Sequence, residues 1–263
     1  MTVFILTRAQ YAFLLLFTIL FFRTTISQAQ SVSDLSDSTM MHHQSDRTSI
    51  YKRWVVPSVL VSYGVVSFAV PQLKQIDVSI RDEVLHEQFR RTWIDDYTQY
   101  APAAVALTLN LCGYSGRNTF KEAFFIYGTS QLLAAAVVVP SKYLIGEQRP
   151  DGSNNLSFPS GHAATAFSSA HFMYKEYRDR NFWLSVSGYP FAAFTGIYRV
   201  INNKHWASDV VAGAGIGIIS TELAYLLYPR FSSLFDGKDK KNSVTVMPFY
   251  QQNKAGVSLL RVF

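Results

Sequence analysis

The sequence predicts an all-α protein: a six-helix bundle embedded in a membrane, with a short β-hairpin near the C-terminal end of the chain. Hydrophobic residues make up 49% of the 263 residues and charged residues only 16%, against roughly 25% charged in ordinary soluble domains. Long apolar stretches alternate with short polar connectors, which indicates helices that pack beside one another. The six stretches lie near residues 54–70, 99–113, 122–145, 160–174, 182–198 and 206–228.

The last apolar stretch contains a pair of small residues at helical spacing. Gly213 and Gly217 stand one turn apart, with Ala212 and Gly215 beside them. Such spacing permits close contact between two helix backbones. We therefore interpret these glycines as packing positions and not as ligand contacts.

The first 29 residues have the features of a targeting segment. Arg8 precedes the apolar run 11–22, and Ser27-Gln28-Ala29 resembles a signal-peptidase site. A run this short is typical of a signal peptide, although an uncleaved anchor stays open. Residues 30–50 are rich in Ser, Asp and His and predict a disordered leader. The helical domain is then expected over residues 51–230.

Two further elements are predicted outside the six apolar stretches. Residues 74–97 mix spaced apolar side chains with acids and bases, which favours an amphipathic helix. Residues 231–263 predict a basic linker followed by a β-hairpin, because two β-prone runs, VTVMPFY and GVSLLRVF, flank a polar turn.

Charge and cysteine content exclude two features. The net charge of +6 comes from scattered basic residues, so we expect no nucleic-acid-binding face. Cys112 is the single cysteine of the chain, which rules out an intramolecular disulfide.

Residues 142–150 (KYLIGEQRP) contain the first candidate anion site. Lys142 and Arg149 lie two helical turns apart and face the same way. Pro150 prevents the helix from continuing. Cations at helix ends are common, so this segment alone is a weak signal.

Residues 157–167 (SFPSGHAATAF) predict the N-terminus of a helix. Ser160 follows a proline and precedes good helix formers, as an N-cap does. The amides of Ser160, Gly161 and His162 would then be free to bind a phosphate, and Gly161 would let it approach closely. His162 would place a titratable group beside the anion. The alternative is a capped helix with an incidental histidine.

Residues 198–209 (YRVINNKHWASD) combine a histidine, a carboxylate and a cation. After a turn at 202–204, His205 is expected to open the last helix, with Asp209 on the same face. A carboxylate bonded to one imidazole nitrogen leaves the other free to attack. Arg199 can reach the same place with a bidentate guanidinium. The alternative is an interhelical salt bridge with a satisfied histidine.

All three motifs lie at boundaries between apolar helices, and alternating helix directions bring them to one end of the bundle. Two histidines, a carboxylate, three cations and a helix N-terminus there form a coherent phosphoryl-transfer site. On these motifs, residues 50–230 resemble the type 2 phosphatidic acid phosphatase superfamily, which also includes bacterial acid phosphatases and vanadium-dependent haloperoxidases. Tyr198 departs from the family pattern, in which a serine precedes the arginine of the third motif.

The resemblance implies a role for each matching residue. His205 would be the nucleophile that forms a phosphohistidine, Asp209 would orient it, and His162 would protonate the leaving oxygen and then activate water. The phosphoryl oxygens would be held by Lys142, Arg149, Ser160, Gly161 and Arg199. The resemblance implies no metal and no other cofactor, because lysine and arginine neutralise the charge that Mg²⁺ neutralises elsewhere.

The expected activity is metal-free hydrolysis of a phosphomonoester or diphosphate carried on a lipid. The alternatives are an acid phosphatase for soluble esters, a vanadate-dependent haloperoxidase and a non-catalytic envelope protein. A lipid phosphate and the membrane are the expected partners, and the sequence does not indicate an oligomeric state.

Basic residues also predict an orientation in the bacterial cell envelope. Nine lie in connectors at the end opposite the motifs (Arg117, Lys121, Lys175, Arg178, Arg180, Arg230, Lys238, Lys240 and Lys241) and five at the motif end (Lys74, Arg81, Arg90, Arg91 and Lys204). By the positive-inside rule, the active site would face the periplasm from the inner membrane. A span at 54–70 would then conflict with a cleaved signal peptide. A soluble or peripheral periplasmic protein is the alternative.

Overall fold

The computed structural model describes residues 40–87, 89, 91–235, 243–251 and 254–262. Seven helices of eleven residues or more occupy this part of the chain, with two five-residue helices. The long helices are α1 (Met40–Val66), α2 (Pro71–His86), α4 (Ala101–Leu111), α5 (Phe120–Ile145), α6 (Gly161–Tyr177), α8 (Gly188–Ile201) and α9 (Ala207–Phe235). The short helices are α3 (Ile94–Thr98) and α7 (Phe182–Val186).

The helical class is confirmed, but the predicted count of six helices is wrong. The seventh long helix is α2, which belongs to the amphipathic segment 74–97 and not to the six apolar stretches. That segment is divided, since α2 ends at His86 and α3 begins at Ile94. Helix α1 begins at Met40, so helical structure starts inside the predicted leader 30–50. The predicted targeting segment 1–29 lies outside the described residues.

Helix α5 has well-defined ends that fix where the first motif lies. At its start, Thr119 and Glu122 form a capping box in which each side chain bonds the other's backbone amide. At its end, Gly146 adopts a left-handed conformation with φ 65°, which glycine accepts at no steric cost. Lys142 therefore lies in the last turn of α5, and the residues after Gly146 turn back over the helix end.

Helices α6 and α9 pack backbone against backbone. A β-carbon added to Gly217 would overlap the carbonyl oxygen of Ala164, and one added to Gly213 would overlap that of Ser160. The packing role predicted for these glycines is confirmed. Because the contact includes Ser160, it also brings the start of α6 against the start of α9.

Two of the described helices are long and apolar enough to cross a membrane. They are Phe120–Ile145 and Ala207–Phe231, and a third span results if Arg53–Val66 and Pro71–His86, bent by 91°, count as one. The outer surface of α5 exposes large apolar side chains, with Leu132 73% and Phe124 61% accessible. An apolar outer surface suits contact with lipid. These helices support the prediction of a membrane protein.

The chain divides into two compact units, Met1–Ala224 and Tyr225–Phe263. In the second unit, strand β1 (Ser243–Gln251) pairs antiparallel with β2 (Lys254–Val262), from Ser243 opposite Val262 to Gln251 opposite Lys254. The tail therefore contains the predicted hairpin. The linker residues 236–242 lie outside the described part of the chain.

Candidate active site

The third motif forms a buried histidine–carboxylate pair. The Nδ1 atom of His205 lies 3.5 Å from Oδ2 of Asp209, and the two side chains are 2% and 0% exposed. Helix α9 begins at Ala207, so His205 lies in the turn before the helix and does not open it as expected. A separation of 3.5 Å is long for a hydrogen bond, and Nδ1 bonds no described residue.

The carboxylate of Asp209 is held from several sides. Its Oδ2 atom accepts hydrogen bonds from Ser157 Oγ at 2.5 Å and from the backbone amide of Trp206 at 2.9 Å. Its backbone carbonyl accepts from the amide of Ser160 at 3.1 Å. These bonds connect the second and third motifs directly.

Burial sets the protonation state of His205. Removal from water lowers the pKa of this imidazole to about 4, and the nearby Lys142 and Arg199 add to the effect, while Asp209 opposes it. The imidazole is therefore neutral at physiological pH. A neutral imidazole whose Nδ1 faces a carboxylate leaves Nε2 as a free nucleophile.

His162 stands at the N-terminal end of α6 and bonds a carboxylate that the motifs do not contain. Its Nε2 atom lies 2.7 Å from Oδ1 of Asp96, on α3. Burial lowers the pKa of His162, as does the charge of Arg199, and Asp96 partly opposes both. With Nε2 held by Asp96, Nδ1 is the nitrogen left to exchange a proton.

The three cations of the motifs converge on the same region. Lys142 Nζ donates to the carbonyl oxygens of Leu156 at 2.8 Å and Ser157 at 3.3 Å. Arg199 Nη1 donates to Asp95 Oδ2 at 2.8 Å. Lys142, Arg149 and Arg199 are near enough to act on one another electrostatically.

Two donors of these cations have no acceptor among the described residues. The Nε atoms of Arg149 and Arg199 are buried and make no hydrogen bond there. A buried donor without a partner is costly. Arg199 acts on both histidines and Arg149 lies near Arg199, so the two free donors indicate a place where an anion binds.

Ser160 and Gly161 lie where predicted, with one difference. The Ser160 hydroxyl caps α6 by accepting from the amide of Ala163 at 3.4 Å. The amide of Ser160 itself bonds Asp209, so it is not a free phosphate donor, and that part of the prediction is wrong for this structure. A β-carbon on Gly161 would meet Val138 only at ordinary contact distance. The glycine therefore leaves open space on the side of the site.

Sequence reasoning missed the acidic residues of α3. Asp95 accepts from Asn202 Nδ2 at 3.0 Å as well as from Arg199. Asp95, Asp96 and His162 offer atoms within 4.8 Å of one another, a spacing that could hold a metal ion. The Arg199 guanidinium already occupies this group, 3.9 Å from Asp96. In the sequence, the only signal for this cluster was that Asp95 and Asp96 are adjacent.

Residues of α2 were also missed. Asp77 is 1% exposed, and its carboxylate accepts from Ser208 N at 2.9 Å and from Ser208 Oγ at 2.6 Å. Lys74 donates to Glu147 and stands 4.5 Å from the ring centre of Trp206. The sequence signal was a lysine and an aspartate one turn apart on an amphipathic helix.

Fold and site together define a class: helical membrane proteins whose helices hold a buried histidine–carboxylate pair, a second histidine and three cations at one end. Residues 123–233 match the sequence model of the PAP2 superfamily. That segment contains all three motifs, so the match agrees with the resemblance that the motifs predict.

Three known proteins are similar to this chain. Lipid A 1-phosphatase of Porphyromonas gingivalis is 43% identical over 135 residues, which is 51% of this chain and 30% of that protein. The crystal structure of LpxE of Aquifex aeolicus matches 58% of this chain and 93% of its own, with 20% identity and a TM-score of 0.41. The crystal structure of a PAP2-type phosphatidylglycerolphosphate phosphatase of Bacillus subtilis matches 66% and 96%, with 20% identity and a TM-score of 0.46.

Proposed function

We propose that the protein is a phosphatase that hydrolyses a phosphate ester or diphosphate on a membrane lipid through a phosphohistidine. The observation that carries this proposal is the buried, neutral His205 beside Asp209, in a region whose two arginines have Nε donors without acceptors among the described residues. The sequence relative named lipid A 1-phosphatase supports a lipid-borne substrate. The two candidate membrane spans support the same choice.

The first chemical step transfers the phosphoryl group to the enzyme. Nε2 of His205 attacks phosphorus while the bond to the leaving oxygen breaks, and His162 gives that oxygen a proton. Asp209 holds Nδ1 of His205 and stabilises the positive charge that develops on the ring. Lys142, Arg149 and Arg199 neutralise the phosphoryl oxygens, the task that Mg²⁺ performs in other phosphoryl-transfer enzymes.

The second step returns the enzyme to its starting state. His162, now neutral, takes a proton from water, and the resulting oxygen attacks phosphorus as the bond to His205 Nε2 breaks. Inorganic phosphate leaves, and both histidines regain their initial protonation. Microscopic reversibility gives His162 opposite roles in the two steps.

The periplasmic orientation belongs to this proposal and rests on the basic connectors. Lys175 must leave that count, since it is buried in α6 and donates to Glu222 at 2.9 Å. Removing it leaves eight of the nine basic residues predicted at the far end, against five predicted at the catalytic end. The far end still has more basic residues than the catalytic end, so the positive-inside rule still favours a periplasmic active site.

The proposal is tested by phosphate release from the purified full chain in detergent with EDTA present. A panel of lipid phosphates and soluble esters is compared by kcat/KM. We expect turnover in EDTA and higher kcat/KM for the lipids. Preference for soluble esters would contradict the lipid assignment, and dependence on an added metal would contradict the cation assignment.

A further inference from the structure

Glu147 is a buried carboxyl group beside the nucleophile pair, and the mechanism above does not use it. It follows Gly146, where the chain leaves α5, and its side chain is 9% exposed. The amide of Ser157 donates to its carbonyl oxygen at 2.9 Å, which fixes the backbone. The side chain therefore has a defined place between α2 and α9.

The two oxygens of Glu147 have different surroundings. Oε1 accepts from Lys74 Nζ, on α2. Oε2 is buried and has no donor among the described groups, and the same holds for Oδ1 of Asp209. Ser157 joins the two residues, because its amide donates to the Glu147 carbonyl and its hydroxyl donates to Asp209 Oδ2. The charges of Glu147 and Asp209 also act on one another. Two neighbouring buried carboxyl oxygens that lack any other donor are both satisfied by one proton shared between them.

A single proton satisfies this pair. Two neighbouring buried carboxylates do not both stay ionised, because each raises the energy of the other's charge. Asp209 is the better anion, since its Oδ2 accepts from Ser157 and Trp206 and faces His205. Burial and the neighbouring Asp209 raise the pKa of Glu147 well above its usual range, although Lys74 opposes the effect. The proton therefore lies on Glu147.

We propose that Glu147 is a positioning residue for the nucleophile: its neutral carboxyl group donates to Asp209 Oδ1 and thereby turns Oδ2 towards His205. The catalytic consequence rests on the proposed function, whereas the location of the proton does not. The motif that defines the anion site thus also contains a hydrogen-bond donor for the nucleophile's carboxylate.

Helix α2 supports this donor from the other side. The charged groups that face Glu147 are Lys74 from α2, Asp209 from α9 and Lys142 from α5. Asp77 keeps α2 in place through both bonds to Ser208, the residue next to Asp209. The amphipathic helix is therefore part of the apparatus that orients the nucleophile.

Two variants test whether a neutral hydrogen-bond donor is needed at this position. Glu147→Gln retains such a donor, and Glu147→Ala removes it. An amide can donate to Asp209 and still accept from Lys74, so we expect kcat of Glu147→Gln within about threefold of the wild type. Glu147→Ala should lose about 10- to 100-fold in kcat with little change in KM, because a misplaced nucleophile weakens the chemical step. Glu83→Gln, an exposed carboxyl group on α2, is the matched control for both.

Infrared spectra of the full chain at neutral pH test the proton directly. We expect a carboxylic acid C=O band that remains in Glu83→Gln and disappears in Glu147→Gln. A band that survives in Glu147→Gln, or a Glu147→Gln variant as slow as Glu147→Ala, would overturn the proposal. If Glu147→Ala fails to fold, the amide variant and the spectra still decide. An inactive wild type that shows the Glu147 band would contradict the proposed function and leave this inference standing.

Discussion

The imidazole of His162 and the carboxylate of Asp96 meet at 2.7 Å, although they stand 66 residues apart in the chain. Asp96 lies on the short helix α3, and Arg199 comes within 3.9 Å of the same carboxylate. Opposite charges close to an imidazole favour its protonated form. Asp96 therefore favours the protonated form that the proposed general acid, His162, requires in a site that otherwise disfavours positive charge.

The pH profile of kcat/KM should be bell-shaped with its maximum on the acid side of neutrality. Activity rises as pH increases through the pKa of His205, about 4, because only the neutral imidazole attacks. Activity falls as pH increases through the pKa of His162, which lies below its ordinary 6.5, because the leaving oxygen needs its proton. Initial rates across pH check both limbs.

Asp96→Asn should shift the alkaline limb to lower pH and leave the acid limb in place. The amide removes a negative charge from His162, so at neutral pH the rate should fall about tenfold or more. Asp179→Asn, an exposed carboxylate in the turn after α6, is the control. An unchanged alkaline limb in Asp96→Asn would contradict the assignment of His162 as the acid.

Arg199→Lys should weaken anion binding although the charge is kept. Lysine could still reach Asp95, but it lacks the planar fork whose buried Nε has no acceptor among the described residues. We expect kcat/KM to fall about 10- to 100-fold and the Kd for vanadate to rise in parallel. The control is Arg180→Lys, since Arg180 bonds the carbonyl of Ser115 outside the site. Equal vanadate affinity in both variants would contradict the role of Arg199.

Gly217→Ala should destabilise the protein, because the added methyl group overlaps the Ala164 carbonyl. Overpacking of this kind costs about 1–3 kcal/mol. Gly128→Ala is the matched control: nothing lies within 4 Å of its β-carbon in α5. That change should leave stability equal or raise it by up to about 1 kcal/mol. Thermal unfolding in detergent measures both, and equal Tm values would contradict backbone contact between α6 and α9.

The sequence was sufficient to predict the helical class and the three motifs, although not the number of helices, because both are local. Apolar stretches, the N-cap at Ser160 and the spacing of His205 and Asp209 are features of short segments. Close packing along α9 was also predictable, since Gly213 and Gly217 are spaced for it, but its partner α6 is known only from the structure.

The positions of Asp77, Asp95, Asp96 and Lys74 at the site were not predictable, because tertiary packing brings these residues there. Asp77 reaches Ser208 across 131 residues, after the 91° bend between α1 and α2. Asp95 reaches Arg199 across 104 residues. Sequence spacing does not encode which face of α2 or α3 turns inward. Lys175 shows the same limit, since it was assigned to a connector but is buried against Glu222.

The measurement that tests the central claim most directly is the identity of the phosphorylated residue. The full chain would be mixed with a substrate labelled on its phosphoryl group, quenched in alkali and analysed by peptide mass spectrometry. We predict phosphate on His205, accumulating in His162→Ala because water is no longer activated, and absent in His205→Asn. Phosphate on another residue, or a His205→Asn variant that keeps wild-type turnover, would contradict the account.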